Sequence, residues 1–253
     1  MGGYEPFKSY NLGPDPDKKT DYGLNEGFAI APAWGENQFI DDQALDGFGR
    51  TCREYFDSVQ ALGRSLLSLI AEGLGVNSNF FDPYLSRQLS FARLTHYYRQ
   101  PGGSEDDFIG AAAHTDWGSL TLLVQDQIGG LQIYNRAEDC WVDVRNTYEV
   151  YPDVLNCSFK VEPNPSAFVC NIGDLLSRWT NDVYRSTLHR VLAPPPGLDR
   201  YSIPFFNPGD PDHVVEVIPS CVPAGEAPKY KPITAGEYIK MKHYKHMKED
   251  STP

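Results

Sequence analysis

The chain has 253 residues, of which 41% are hydrophobic and 13% aromatic, which is enough for the core of one large domain. Its net charge of −12 argues against the basic surfaces that bind nucleic acid or anionic membranes. No apolar run reaches the roughly 18 residues that a membrane-spanning helix needs, and five cysteines without a Cys-x-x-Cys pair favour reduced thiols in a cytoplasmic protein.

The first predicted elements are an irregular N-terminal segment and a long helix. Residues 1–40 are polar and rich in Gly and Pro, which is typical of irregular structure. Residues 41–75 are predicted to be helical, because their apolar residues recur at spacings of three and four. These residues are Phe56, Val59, Leu62, Leu66 and Ile70. The glycines at positions 73 and 75 predict the end of this helix.

From residue 88 the apolar pattern changes to a period of two, which predicts short strands separated by turns. The strands are expected near Leu89–Tyr98, Ser119–Gln125, Gly130–Tyr134, Cys140–Val144, Ala167–Asn171, Thr187–Ala193, Tyr201–Phe206 and Val214–Ile218. Strands without intervening helices predict an antiparallel jelly-roll core over 88–220. A C-terminal helix is predicted over 234–247, and the whole of 1–253 is expected to form a single domain.

Two metal-binding side chains lie close together in the stretch "HTDWGSLTLL". In an extended chain, His114 and Asp116 point to the same side, so both can approach one ion. His189, in the strand-like "STLHRVL", is the best third ligand. Two imidazoles and one carboxylate form the facial triad of mononuclear Fe(II) oxygenases, which leaves positions open for co-substrates. Gly118 is expected to let the chain turn before the following strand.

Each of these residues also has an ordinary structural interpretation. A His-x-Asp pair taken alone is more common in a polar turn or a helix cap, and a single histidine such as His189 is more often a core or surface residue. The remaining histidines, at positions 96, 213, 243 and 246, are predicted to be structural or solvated.

A buried arginine is predicted in the stretch "RYSIPFF". Alternation along a strand puts Arg200, Ser202, Pro204 and Phe206 on one face. An inward-facing guanidinium needs an anion, and its planar fork suits a carboxylate. The prediction is a carboxylate clamp beside the metal; the alternative is an outward arginine that pairs with a surface acid.

These motifs resemble one family. The stretches "HTDWGSLTLLVQDQIGGLQI", "AFVCNIGDLLSRWTNDVYRSTLHRV" and "RYSIPFFNP" are similar to the isopenicillin N synthase-like branch of the Fe(II)/2-oxoglutarate-dependent dioxygenases, particularly fungal members such as thymine dioxygenase. The resemblance runs from about residue 3 to residue 244. It implies a mainly β fold with flanking helices, built on a double-stranded β-helix, the jelly roll that cupins share.

The resemblance also assigns roles at the site. It implies that the three predicted ligands hold Fe(II), and that Arg200 and Ser202 hold the distal carboxylate of the co-substrate 2-oxoglutarate. Tyr97, in "LTHYYRQ", aligns with a tyrosine that contacts this carboxylate, although a core aromatic is an equally good interpretation. Phe206 matches a position that packs on the substrate.

The activity implied by the resemblance is oxidation of a small organic substrate with O2. The substrate would be hydroxylated, desaturated or cyclised, with release of succinate and CO2, in a setting such as fungal specialised metabolism. Two alternatives stay open. One is an oxidase of the same fold that does not use 2-oxoglutarate, and the other is a non-catalytic relative that binds a ligand or partner.

The sequence departs from the family in two places. The family commonly has a further N-terminal part before the "GYEP"-like segment, which this chain lacks. An uncovered sheet edge would favour a homo- or hetero-oligomer. In addition, residues 145–164 form an insertion where the family has a short turn, and a long loop of this kind predicts a lid or an interface element.

Overall fold

The computed structural model describes residues 2–7, 25–35, 37–40, 43–87, 89–98, 109–144 and 167–249. The strands in chain order are β1 (Gly3–Glu5), β2 (Asn25–Ile30), β3 (Phe91–Tyr98), β4 (Ile109–His114), β5 (Leu120–Gln125), β6 (Leu131–Asn135), β7 (Cys140–Asp143), β8 (Val169–Ile172), β9 (His189–Leu192), β10 (Asp199–Phe206), β11 (Val214–Val215) and β12 (Ile233–Thr234). The α-helices are α1 (Phe48–Gly73), α2 (Asp174–Trp179) and α3 (Ala235–Glu249).

Strands β1 to β10 form two sheets, and neighbouring strands in each sheet are antiparallel. The larger sheet has the order β1-β2-β3-β10-β5-β8 and the smaller has the order β4-β9-β6-β7. Successive strands from β3 to β10 pass between the two sheets, with β6 and β7 together as a hairpin in the smaller one. This winding is that of a double-stranded β-helix, and it confirms the predicted mainly β jelly roll.

The structure corrects several predicted elements. Strand β4 (Ile109–His114) was not predicted, because "IGAAAH" consists mostly of alanine and glycine, and Ile109 is its one β-branched residue. The strand expected over 214–218 is only Val214–Val215, and it pairs with β12 outside the two main sheets. The N-terminal segment was predicted to be irregular, and this is wrong for β1 and β2, which extend the larger sheet.

Helix α1 covers one face of the larger sheet. Its buried residues are Gly49, Cys52, Phe56, Val59, Gly63, Leu67 and Ala71. The predicted face is therefore partly wrong, since Leu62 is 36% exposed. The ring of Phe56 lies 5.2 Å from that of Phe205 on β10, inside the main core. Gly75, with φ of +73°, adopts the left-handed conformation that ends the helix.

We expect Phe205→Ala to destabilise the fold by about 3–5 kcal/mol, because it removes a fully buried ring and leaves a cavity against α1. Denaturant unfolding followed by circular dichroism measures this loss. Leu69→Ala is the control, since Leu69 lies on α1 and its side chain is 62% exposed. Its truncation should change the free energy of unfolding by less than about 0.5 kcal/mol. Equal losses in the two variants would contradict this account of the core.

The opposite face of the larger sheet faces the smaller sheet and is unusually polar. Among the described residues, a small apolar cluster fills this interior, formed by Tyr97, Leu123, Leu131 and Val191. Buried polar side chains share the interior with it: Thr95, Thr121, Gln125, Arg200 and Ser202. Polar groups are costly to bury without partners, so this interior is the place to look for a binding site.

Candidate metal centre and active site

The predicted metal ligands meet at the paired ends of two strands. His114 is the last residue of β4, and it lies directly opposite His189, the first residue of β9. Asp116 follows in the connection to β5. One ligand atom from each of the three side chains lies within 4.8 Å of the other two. The structure therefore brings together the three residues that the sequence singled out.

Backbone carbonyl groups orient both imidazole rings. Nδ1 of His114 lies 2.7 Å from the carbonyl oxygen of Ala112, and Nδ1 of His189 lies 2.9 Å from that of Thr187. A carbonyl can only accept, so Nδ1 carries the proton in both rings, and Nε2 offers its lone pair to a metal. Each Nε2 is 3.8 Å from Oδ1 of Asp116.

The Asp116 carboxylate is held ionised in a buried position. Burial raises its pKa, but the positive charge that the imidazoles of His189 and His114 carry when protonated, together with hydrogen bonds from Thr121 and Asn171, lowers it overall. Nδ2 of Asn171 donates to Oδ2 of Asp116 over 2.7 Å, which leaves Oδ1 facing the histidines. Two imidazole nitrogens and one anionic oxygen on one side of a common point fit Fe(II).

The loop that carries Asp116 is fixed by close backbone packing. The amide of Asp174 donates to the Asp116 carbonyl over 2.8 Å. A Cβ at Gly118 would lie 2.3 Å from the carbonyl oxygen of Asn207. The need for glycine at position 118 therefore comes from this contact, whereas the sequence had suggested a turn.

We expect Asn171→Ala to weaken divalent metal binding about 10–100-fold, because Asp116 loses the hydrogen bond that orients its carboxylate. Anaerobic calorimetry with Fe(II), or with Mn(II) as its stand-in, measures this affinity. Asn79→Ala, at an exposed position after α1, is the control and should bind like the wild type. An Asn171 variant with unchanged affinity would show that Asn171 does not orient the ligand.

The predicted arginine lies in the same interior and is completely buried. The guanidinium of Arg200 donates to the side-chain oxygen of Gln125 over 2.6 Å, to the carbonyl of Gly129 over 2.6 Å and to Oγ of Ser202 over 3.3 Å. All three acceptors are neutral, and none of the carboxylates described by the structure lies within 4.0 Å of Arg200. A buried guanidinium without a counter-ion is the arrangement expected of a site for an anionic ligand.

The two aromatic residues predicted for this site lie on strands β3 and β10. Tyr97 is directly opposite Arg200 in the β3–β10 register, and its ring centroid is 4.7 Å from the guanidinium carbon, in cation–π contact. Phe206 shares the strand face of Arg200 and Ser202, as alternation predicts, and its ring packs against Phe91 with centroids 4.8 Å apart.

Other predicted residues lie away from the triad. Nδ1 of His96 is 2.9 Å from a carboxylate oxygen of Glu26, so this histidine joins β3 to β2. His213 packs beside Trp179, and burial lowers its pKa. Trp117, the neighbour of Asp116 in the chain, packs against the main core.

Known proteins with similar sequences identify the family. A family model described as the 2OG-Fe(II) oxygenase superfamily matches residues 90–207. A 2-oxoglutarate-Fe(II) type oxidoreductase of Emericella nidulans is 39% identical over 194 residues, which are 76% of this chain and 50% of the relative. Another, from Aspergillus fumigatus, is 31% identical over 256 residues, covering 94% of this chain and 68% of the relative. The chain belongs to the 2OG-Fe(II) oxygenase superfamily.

A solved structure agrees with this membership. The full-length thymine hydroxylase of Neurospora crassa, crystallised in complex with alpha-KG, superimposes with a TM-score of 0.73 and 29% identity, covering 96% of this chain and 73% of that one. The sequence-based resemblance to the oxygenase family is thereby confirmed. The chain spans about half the length of the Emericella relative. Within the described residues, no helix is both long and apolar enough to cross a bilayer.

Proposed function

We propose that this chain is a non-haem Fe(II)- and 2-oxoglutarate-dependent oxygenase that oxidises a small organic substrate and releases succinate and CO2. One observation carries the proposal: the metal triad shares the jelly-roll interior with Arg200, which is fully buried and has no counter-ion among the described residues. They are linked through the larger sheet, since Asn171 on β8 bonds to Asp116 and Gln125 on β5 bonds to Arg200.

Each residue at the site has a defined task in this proposal. His114, Asp116 and His189 hold Fe(II), which when bound supplies the reaction of 2-oxoglutarate with O2 that oxidises the substrate. Arg200 and Ser202 bind the distal carboxylate of 2-oxoglutarate through donors that Gln125 and the Gly129 carbonyl keep in place.

The aromatic walls complete the proposed site. Tyr97 covers one face of the Arg200 guanidinium and excludes water from the carboxylate contact. Phe206 offers an apolar surface to the substrate. The fungal relatives support a small organic substrate that belongs to fungal specialised metabolism.

Anaerobic binding tests this proposal without knowledge of the substrate. The protein, loaded with Fe(II) and then with 2-oxoglutarate, should develop the weak visible charge-transfer absorption of a chelated 2-oxo acid. Binding of Fe(II) without this absorption would favour the oxidase of the same fold, and absence of Fe(II) binding would favour the non-catalytic relative. With candidate substrates, substrate-dependent formation of succinate then confirms oxygenase activity.

We further propose a cytoplasmic location and self-association. Cys52 and Cys221 are buried free thiols whose pKa values burial raises, and free thiols are common in proteins of reducing compartments. Among the described residues, strand β1 forms one edge of the larger sheet, and its outer backbone groups are the pairing surface that this proposal requires. Light scattering after size exclusion measures the number of chains in the oligomer.

The 145–164 insertion, proposed as a lid or interface, lies outside the described residues.

A further inference from the structure

A second cavity lies outside the jelly-roll interior, between helices α2 and α3. Its volume is about 400 Å³. Thr115 lines it, and this residue stands between the metal-binding residues His114 and Asp116 in the chain. Side chains alternate in an extended segment, so the ligands face the jelly-roll interior while Thr115 faces this cavity.

The acidic residues of the cavity already have cationic partners. Oδ2 of Asp174 lies 3.0 Å from Nζ of Lys242, and it also accepts hydrogen bonds from Tyr238 and Thr115. Oδ2 of Asp182 lies 3.1 Å from Nζ of Lys229. Each aspartate is therefore neutralised by a lysine, and neither is available to balance another cation.

Three arginines of the cavity have no carboxylate partner among the described residues. Arg136, Arg178 and Arg185 line it, and none of them forms an ion pair with any residue in the described part of the chain. Arg178 instead donates to the carbonyl of Lys231 over 3.0 Å and stacks on Tyr230 at 4.5 Å. Three guanidinium groups without a carboxylate partner among the described residues make this cavity locally positive, although the net charge of the chain is −12.

Two buried donors in the cavity are also unsatisfied. Nε of Arg178 and Oγ of Ser186 are buried and have no hydrogen-bond partner among the described residues, and both side chains line the cavity. Buried donors that the protein leaves unpaired are costly, and a bound acceptor removes that cost. A bound molecule that accepts hydrogen bonds would satisfy these two atoms, and this point is separate from the charge argument.

We propose that this cavity binds a small oxyanion, a phosphate or a carboxylate group, at a site separate from Arg200. The guanidinium groups of Arg136, Arg178 and Arg185 neutralise its charge, and Nε of Arg178 and Oγ of Ser186 donate hydrogen bonds to it. Through Thr115, Asp174 and Lys242, this site is joined to the loop that carries the metal ligands.

Titration of the full chain with inorganic phosphate, and separately with malonate, tests the proposal by calorimetry. Saturable binding of one of them is expected. The double variant Arg136→Gln/Arg185→Gln, which changes two exposed residues and should fold normally, is expected to weaken that binding about tenfold or more. Tighter phosphate binding identifies a phosphate-bearing ligand, tighter malonate binding identifies a carboxylate, and either result supports the site.

Two controls separate this cavity from other binding modes. Arg50→Gln removes one exposed positive charge on α1, distant in sequence from the cavity, and should change the affinity less than twofold. Arg200→Gln should leave phosphate binding intact even though it disables the proposed 2-oxoglutarate site, so failure of one proposal does not imply failure of the other. No saturable binding, unchanged affinity in the double variant, or loss of binding in Arg200→Gln alone would overturn the inference.

Discussion

Replacing His189 with alanine will abolish Fe(II) binding and all turnover. The imidazole supplies one of the three protein ligand atoms, and its loss leaves His114 and Asp116, too few to hold the ion in a defined geometry. The loss of affinity should exceed the roughly 10–100-fold expected when a supporting hydrogen bond is removed. Anaerobic calorimetry and the metal content of the purified protein measure this effect.

The matched control for this variant is His243→Ala. His243 is exposed on α3, so its removal should leave metal binding and stability unchanged. Far-ultraviolet circular dichroism checks that the His189 variant keeps its fold. A folded His189 variant with wild-type metal content would contradict the assignment of His189 as a ligand.

Replacing Arg200 with alanine will preserve Fe(II) binding and weaken 2-oxoglutarate binding. Removing one partner of a buried charge-assisted contact costs about 2–5 kcal/mol, which corresponds to roughly 30-fold to several thousandfold in affinity. Calorimetry with 2-oxoglutarate on the metal-loaded protein measures this change. Arg200→Lys should restore the affinity only in part, because an ammonium keeps the charge but lacks the planar fork that meets both carboxylate oxygens.

The control arginine is again Arg50, which is exposed on α1 and should be replaceable by alanine without effect on 2-oxoglutarate. If Arg200→Ala lost Fe(II) and 2-oxoglutarate together, the variant would have disturbed the whole interior. If it kept full affinity for 2-oxoglutarate, the carboxylate clamp would be wrong.

The fold could be predicted wherever side-chain alternation was strong. Strand β5, "LTLLVQ", and strand β10, "DRYSIPFF", were found within one or two residues of their true bounds. Strand β4 could not be found, because its alanines and glycine have little strand preference and its pairing with β9 is fixed by tertiary contacts. Similarly, β2 is a strand because it pairs with the edge of β3, and β1 is a strand because it pairs in turn with β2.

The site could be predicted only in part for a related reason. His114, Asp116 and Arg200 belong to residue types with few structural roles in a barrel interior, so their spacing carried information. Asn171 and Gln125 are ordinary polar residues in strands, and nothing local marks them. Their roles follow from register, which places Asn171 opposite Thr121 and Gln125 opposite Ser202, and register is a property of the assembled sheet.

The pairing of His114 with His189 has a consequence for folding thermodynamics. Strand β4 meets β9 through two register irregularities, which interrupt the regular ladder of hydrogen bonds between the two strands. An ion bound by both histidines cross-links the two strand ends, and it binds only the folded chain. By linkage, metal at a hundred times its dissociation constant adds about 2.7 kcal/mol to the free energy of unfolding. Metal bound by His114 and His189 thus holds the ends of β4 and β9 together. The concentration of available metal therefore determines how readily this end of the barrel opens locally.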